Sequence, residues 1–232
     1  LNPDPVTAVT DAQLRSASSI WGISLYGNDL RGFDFTGLDL GPAYLNLVNL
    51  SEADLTNIDL PSVRLREANL SNTNLTNANL HEADLTDANL AGANLSGTDL
   101  RNSDPLYSIT DAQLRSASSL EGADLSGNDL SGYDLSSINL TSVILDGTNL
   151  QGANLSFSVL TGVDLSGRDF SGFDLTSTVL INADLSHTDL STATLTGADL
   201  SGANLNLATL PASMPMLPVA TGATVTITGS TA

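Results

Sequence analysis

The chain has no cysteine and no lysine, only two histidines and one tryptophan, and 4% aromatic residues among its 232 positions. Without cysteine there is neither a disulfide framework nor a thiolate metal site. Without lysine, all seven basic residues are arginines, and 26 acidic residues leave a net charge of −19. That balance argues against binding a nucleic-acid backbone. It suits a salty or extracellular setting, or mimicry of a polyanion. No apolar run approaches the length of a membrane span, so no membrane insertion is expected. The first residue is leucine rather than methionine, which reads as a processed N-terminus, by removal of a signal peptide or by trimming.

What the chain does contain is a repeat. Residues 76–100 read TNANL HEADL TDANL AGANL SGTDL. Leucine recurs every fifth residue, a small residue stands two places before it, and Asp or Asn lies between. A period of five fits neither a helix nor a plain two-residue alternation. Three extended residues closed by a two-residue corner point the leucine and the small residue inward and the Asp or Asn outward. Ser or Thr followed by Gly, Asn or Glu suits the corner. Four such sides close a twenty-residue coil, and coils stack about 4.8 Å apart. The ladder runs from Leu25 to Leu100 and from Leu125 to Leu210, interrupted only by Phe35 and Phe170. The expected fold is an all-β solenoid.

Taken in order, residues 1–24 form an N-terminal cap. Thr10-Asp11-Ala12-Gln13 is a capping-box pattern, which predicts a short helix reaching Ser18 with Ala12 and Leu14 buried. The first coil stack occupies 25–100. Residues 101–120 break the ladder and repeat the N-terminus at an offset of one hundred, with TDAQLRSASS identical at 10–19 and 110–119. A second stack follows over 121–210. Residues 211–232 form an extended tail, proline-rich at first, in which the Val/Ile and Thr alternation of 219–229 predicts a strand.

The A-[D/N]-L-x-x pattern over roughly residues 20–210 resembles the pentapeptide-repeat proteins. The resemblance implies a right-handed quadrilateral β-helix, here in two tandem modules, each preceded by a short capping helix. The units at Gln13-Leu14 and Gln113-Leu114 also resemble a recurrent cap in secreted, multi-module bacterial members. The best-understood members protect DNA gyrase by mimicking DNA with an acidic prism, usually dimerising through an aromatic C-terminal end. This chain departs from them in its helical interruption and its Pro/Thr/Val tail.

Chemistry-bearing groups are dispersed. His81 and His187 lie in different modules at outward corners, no loop has calcium-binding spacing, and there is no nucleophile or phosphate-binding motif. No enzyme activity, cofactor or metal is expected. At a constant twenty-residue phase, the sixteen Asp that directly precede a ladder residue fall four to each face, which favours a solvated surface over a mimic. Six Asn-x-Ser/Thr sequons, at Asn49, Asn69, Asn74, Asn94, Asn139 and Asn154, arise from the repeat itself.

Departures from the repeat mark candidate interfaces. Tyr26, Tyr44, Arg64 and Arg66 gather on one face of the first stack, for a protein or carbohydrate contact, with tyrosine packing on its own arginine as the bland alternative. Phe157, Val159, Val179 and Ile181 replace polar outward residues in the second; the alternative is that the tail covers them. Arg168 occupies an inward position, which predicts a local distortion letting it reach solvent or a carboxylate. Asn28 and Asn128 are expected to satisfy backbone. Thr10, Asp11, Gln13 and Leu14, with Thr110, Asp111, Gln113 and Leu114, are the candidate junction. The internal copy must sit on the coil ending at Leu100, and the N-terminal copy has no coil before it. The expectation is therefore a non-enzymatic, secreted structural subunit that stacks head to tail into an extracellular or cell-surface filament, with the tail strand reinforcing the neighbour. An acidic DNA mimic inhibiting a type II topoisomerase, and an adhesin or ligand-binding scaffold, are the alternatives.

Overall fold

The computed structural model describes residues 10–16, 21–102, 104 and 106–212. The expected tail strand and the chain before Thr10 lie outside the described residues. Two six-residue helices stand out, α1 (Asp11–Ser16) and α2 (Asp111–Ser116). The described remainder is a coil of repeated corners and bridges. Contacts divide the chain into two compact units, Leu1–Asn128 and Asp129–Ala232.

Within each unit the outward residue of a pentad bridges its counterpart twenty residues on, in parallel. Examples are Asn49↔Asn69↔Asn89 in the first unit and Asp164↔Asp184↔Asn204 in the second. One bridge every five residues at a spacing of twenty means four sides per coil. The sides are shorter than the strands of an ordinary sheet. Each pairs through a single residue, so no continuous strand forms among the described residues. The corners explain why. Two of every five residues turn, and the second sits at positive φ, as at Glu52 (62°), Asn57 (57°) and Asn72 (56°). The residue after it donates back to the ladder leucine, as Ala53 N does to Leu50 O at 3.1 Å. A left-handed residue at the third place of a four-residue turn favours Gly or Asn, which is why those types fill that position.

Coils are held by backbone bonds from three residues per pentad. Leu50 N donates to Asn69 O at 2.8 Å, Glu52 N to Ser71 O at 2.9 Å, and Asn69 N to Val48 O at 2.9 Å. The ladder leucines and the small residues fill the interior, with Leu25, Leu50, Leu75, Leu155 and Leu190 almost wholly buried. Phe35 and Phe170 fit the same interior, and Phe173 meets Phe170 edge to face at 5.0 Å. Inward Thr hydroxyls donate to carbonyls, of the preceding coil in Thr73 to Leu50 O (2.8 Å) and Thr98 to Leu75 O (2.7 Å), and of the same coil in Thr188 to Leu185 O (2.6 Å). The buried hydroxyls are thereby satisfied, which keeps polar residues tolerable in a solid core.

The interruption changes the register. Asn94 pairs with Ser119 and Asp99 with Asp124, an offset of 25 rather than 20. The assumption of a constant twenty-residue phase through 101–120 is therefore corrected. Asp124 stands in the column of Asp59, Asn79 and Asp99. The first unit thus carries an acidic column. In the second unit Asp164 bridges Asp184 and Asp169 bridges Asp189, while Asp174 and Asp199 stand in two further columns.

Candidate functional site

The junction is built from α2. Thr110 caps it in extended backbone, its hydroxyl accepting from Gln113 N at 3.3 Å, while Gln113 Oε1 accepts from Thr110 N at 2.8 Å. This capping box turns the Gln113 amide toward the stack below. Nε2 donates to Leu85 O at 2.7 Å and to Ala88 O at 3.0 Å, and Gln113 and Leu114 are both buried. The chain leaving α2 then docks along the same coil. Gly92 N donates to Ser116 O (2.8 Å), Ser118 N to Ala93 O (2.8 Å) and Leu95 N to Ser119 O (2.9 Å). Asp111 lies at the first helical position, with one carboxylate oxygen out of water and without a hydrogen-bond partner. The helix ends at Ser116 because Ala117 returns to extended backbone (ψ 148°), shorter than the helix expected from the sequence.

α1 carries the same sequence and the same box. Gln13 Oε1 accepts from Thr10 N at 2.8 Å, and Gln13 N donates to Thr10 Oγ1 at 3.2 Å. Leu14 is buried, as expected, whereas Ala12 is exposed because so short a helix presents only one narrow face. The decisive difference is Gln13, which is exposed where Gln113 is only 7% accessible.

The Tyr/Arg face is brought together as the spacing implies. Ser24, Tyr44, Arg64 and Asp84 form one bridged column, and the Arg64 guanidinium lies 5.6 Å from the Tyr44 ring centroid. Arg66 faces Glu67 at 3.7 Å and Asp87 at 3.9 Å. Tyr26 and Tyr44 remain about half exposed, and Trp21 lies across Gly41, where any side chain would strike the indole. In the second unit Val159 bridges Val179; Val159, Val179 and Ile181 are half-buried, and Phe157 is 57% exposed at φ 61°.

Three features were not legible as chemistry in the sequence. Outward Asp and Asn brace the corner that follows: Asp54 Oδ1 accepts from Thr56 N (3.0 Å) and from its hydroxyl (2.6 Å). The D-L-[S/T] and N-L-[S/T] tripeptides are the signal that carries this bracing. The side-chain bond from Ser131, Ser171, Thr176 or Ser186 holds the carboxyl of Asp129, Asp169, Asp174 or Asp184 respectively below its ordinary value. The side-chain amides of the sequon asparagines are engaged as well: Nδ2 of Asn49, Asn69, Asn74, Asn94 and Asn154 donates to Asp29, Asn49, Asp54, Thr76 and Asp134 respectively.

Second, Arg101 clamps the acidic column. Its Nε and Nη2 reach Asp99 at 2.9 and 2.6 Å, and its Nε lies 3.5 Å from Asp124. The Arg101 hydrogen bond holds the Asp99 carboxyl below its ordinary range, against the opposing effect of burial. Third, Arg168 reaches no carboxylate. It donates to Thr148 O at 2.9 Å and to Leu145 O, beside a depression of about 390 Å³ lined by Asp146, Gly147, Asp164 and Ser166. Burial lowers its pKa while Asp146 and Asp164 oppose the shift. Asn128 Nδ2 donates to Leu100 O and Leu125 O, both at 2.9 Å, so it serves backbone. His187 is exposed, whereas His81 is half-buried, with Nδ1 out of water and without a hydrogen-bond partner. Among the described residues no three His, Asp or Glu side chains group as a metal site requires, and no helix is long and apolar enough to cross a membrane.

Among curated proteins no relative is found. Solved structures give HetL, a pentapeptide repeat protein involved in heterocyst differentiation regulation from the cyanobacterium Nostoc sp. strain PCC 7120. It is 28% identical over 86% of this chain and 91% of that one, with a TM-score of 0.46. Full-length QnrB1, a plasmid-mediated fluoroquinolone resistance protein, is 19% identical over 78% of each chain, with a TM-score of 0.29. Rfr23 from the cyanobacterium Cyanothece 51142 is 27% identical over 59% of this chain and 90% of that one, with a TM-score of 0.19. The model of the pentapeptide repeats matches residues 43–81, 64–102, 118–156, 158–197 and 174–210. Those matches span more than half of the sequence and the same coils whose corners, bridges and leucine core are described above, so the chain belongs to the pentapeptide-repeat family, whose members fold as right-handed quadrilateral β-helices.

Proposed function

We propose that the protein is a non-enzymatic structural scaffold in two tandem modules, whose copies stack head to tail into a filament. The observation that carries this reading is the pair of identical segments with different surroundings. Gln113 is buried against Leu85 O and Ala88 O, and Gln13 is exposed. The landing sequence for α2, Leu85, Ala88 and Gly92-Ala93-Asn94-Leu95, recurs at an offset of 110 as Leu195, Ala198 and Gly202-Ala203-Asn204-Leu205. Gly92 and Gly202 share the same left-handed backbone, φ 72° and 70°. A cap that seats on one landing has the residues to seat on the other. The contact is heterologous and does not close, so it propagates. It also covers backbone edges that a coil stack leaves open. A net charge of −19 suits an extracellular or cell-surface setting, where salt screens repulsion between neighbouring copies.

The DNA-mimic alternative needs an unneutralised acidic face, and in the column of Asp59, Asn79, Asp99 and Asp124 the last two carboxylates are clamped by Arg101. Negative-stain electron microscopy of the full chain and of a variant lacking residues 1–19 tests the proposal. Filaments from the full chain alone support it. Filaments from both, or from neither, overturn it.

A further inference from the structure

The second unit has one face unlike the rest of the molecule. Residues 136–142, 156–162 and 176–182 contain no Asp, Glu, Arg or His, in a chain with 26 acidic residues. Val159 bridges both Asn139 and Val179 there, and Ile181 stands beside them. Phe157 projects from the corner, 57% exposed and at φ 61°. That position suits Gly or Asn, so Phe is ill matched both to the backbone and to water. An apolar, uncharged strip in such surroundings marks a docking surface.

Its size selects the occupant. A side of three extended residues is about 10 Å wide and three coils are about 14 Å tall, roughly 150 Å² in all. A stable interface between globular partners needs about 800 Å² from each. A stretch of about four extended residues fits along it, and the chain supplies one. Residues 211–232 are wholly uncharged, so they meet no repulsion on this strip. In 219–229, Val219, Ala223, Val225 and Ile227 fall on one edge by alternation, with Thr224, Thr226 and Thr228 on the other. Position also agrees. Thr209 bridges Asp189, so Leu210 closes the side of that column. The next side around the coil is that of Thr194 and Asp174, and the one after it carries Asp199, Val179 and Val159. Crossing one side of about 10 Å is within reach of residues 211–218, which extend to about 26 Å.

We infer that Val225 and Ile227, within the alternating segment 219–229, seat on the strip formed by Phe157, Val159, Val179 and Ile181 of the same chain. This claim is independent of head-to-tail stacking. Amide hydrogen exchange on the full chain tests it, beside a V159D/V179D variant. Asp is the residue that this column already carries at Asp199, so the coil accepts the change. The expected result is exchange in 224–228 slowed about tenfold or more relative to the same segment as a free peptide. The variant brings it back to the peptide rate, with coil amides unchanged. The variant F157G, which relieves the left-handed corner, reports on the same contact should the double variant fail to fold. Unprotected amides in 224–228, or protection equal in wild type and both variants, overturn the inference. Protection that grows with protein concentration also overturns it, because the segment would then belong to a neighbour.

Discussion

Many outward Asp and Asn residues serve two neighbours at once. Oδ1 accepts from the backbone two residues on, and in the asparagine columns Nδ2 donates to the coil before, as Asn69 does to Asn49 at 3.1 Å. The acidic and amide composition is therefore part of how corners are held, which the alternation of side chains alone did not reveal. The positive-φ corners sort residues more severely. Asn, Asp, Ser and Gly fill most of them, while Leu47, Phe157 and Leu207 are bulky exceptions. Replacing Leu47, 43% exposed at φ 58°, by Gly removes left-handed strain and is expected to raise stability by about 1 kcal/mol in chemical denaturation. A loss of stability of that size would instead show that the exposed side chain contributes packing outweighing the strain.

At the scale of the element, the leucine ladder and the two copied helical segments were plain in the sequence because each is a repeated pattern. What the pattern could not show was the 25-residue offset from Asp99 to Asp124, since it depends on how much chain α2 and its flanks consume before the coil resumes. Nor could it show that each side pairs through one residue, a consequence of corners taking two residues in five. Likewise the inward Arg168 was recognisable as an anomaly, but its partners, the Thr148 and Leu145 carbonyls, depend on how the coils stack. The capping box makes a clean comparison possible. Glu accepts from the cap backbone as Gln does, so Gln113→Glu keeps the box, removes both amide donations and sets a carboxylate against Leu85 O and Ala88 O. A cost of about 3 kcal/mol is expected. In dilute solution Gln13→Glu, at an exposed site, is expected to leave unfolding unchanged. Equal costs at the two positions would mean that Gln113 owes nothing to its landing.

At the scale of the molecule, acidity and stability are linked. Asp99, Asp129, Asp169, Asp174 and Asp184 are all held below the ordinary value of 3.8, Asp99 first by Arg101 and the others by the hydroxyl two residues on. The unfolded chain takes up protons at that ordinary value, before the folded one does. The stability these groups contribute is therefore complete above about pH 4 and is lost as pH falls through their lowered values. Thermal unfolding at pH 7 and pH 3 is expected to give the lower midpoint at pH 3; a higher one would show that relief of self-repulsion dominates.

In the proposed stacking, α1 is a plug whose socket is the terminal coil of another copy. Sedimentation velocity over a hundredfold range of concentration, on the full chain and on Gln13→Glu, tests it most directly. Species that grow with concentration are expected for the unaltered chain, and a single monomeric boundary for the variant. A monomer at every concentration for the unaltered chain, or growth that Gln13→Glu leaves untouched, would contradict it.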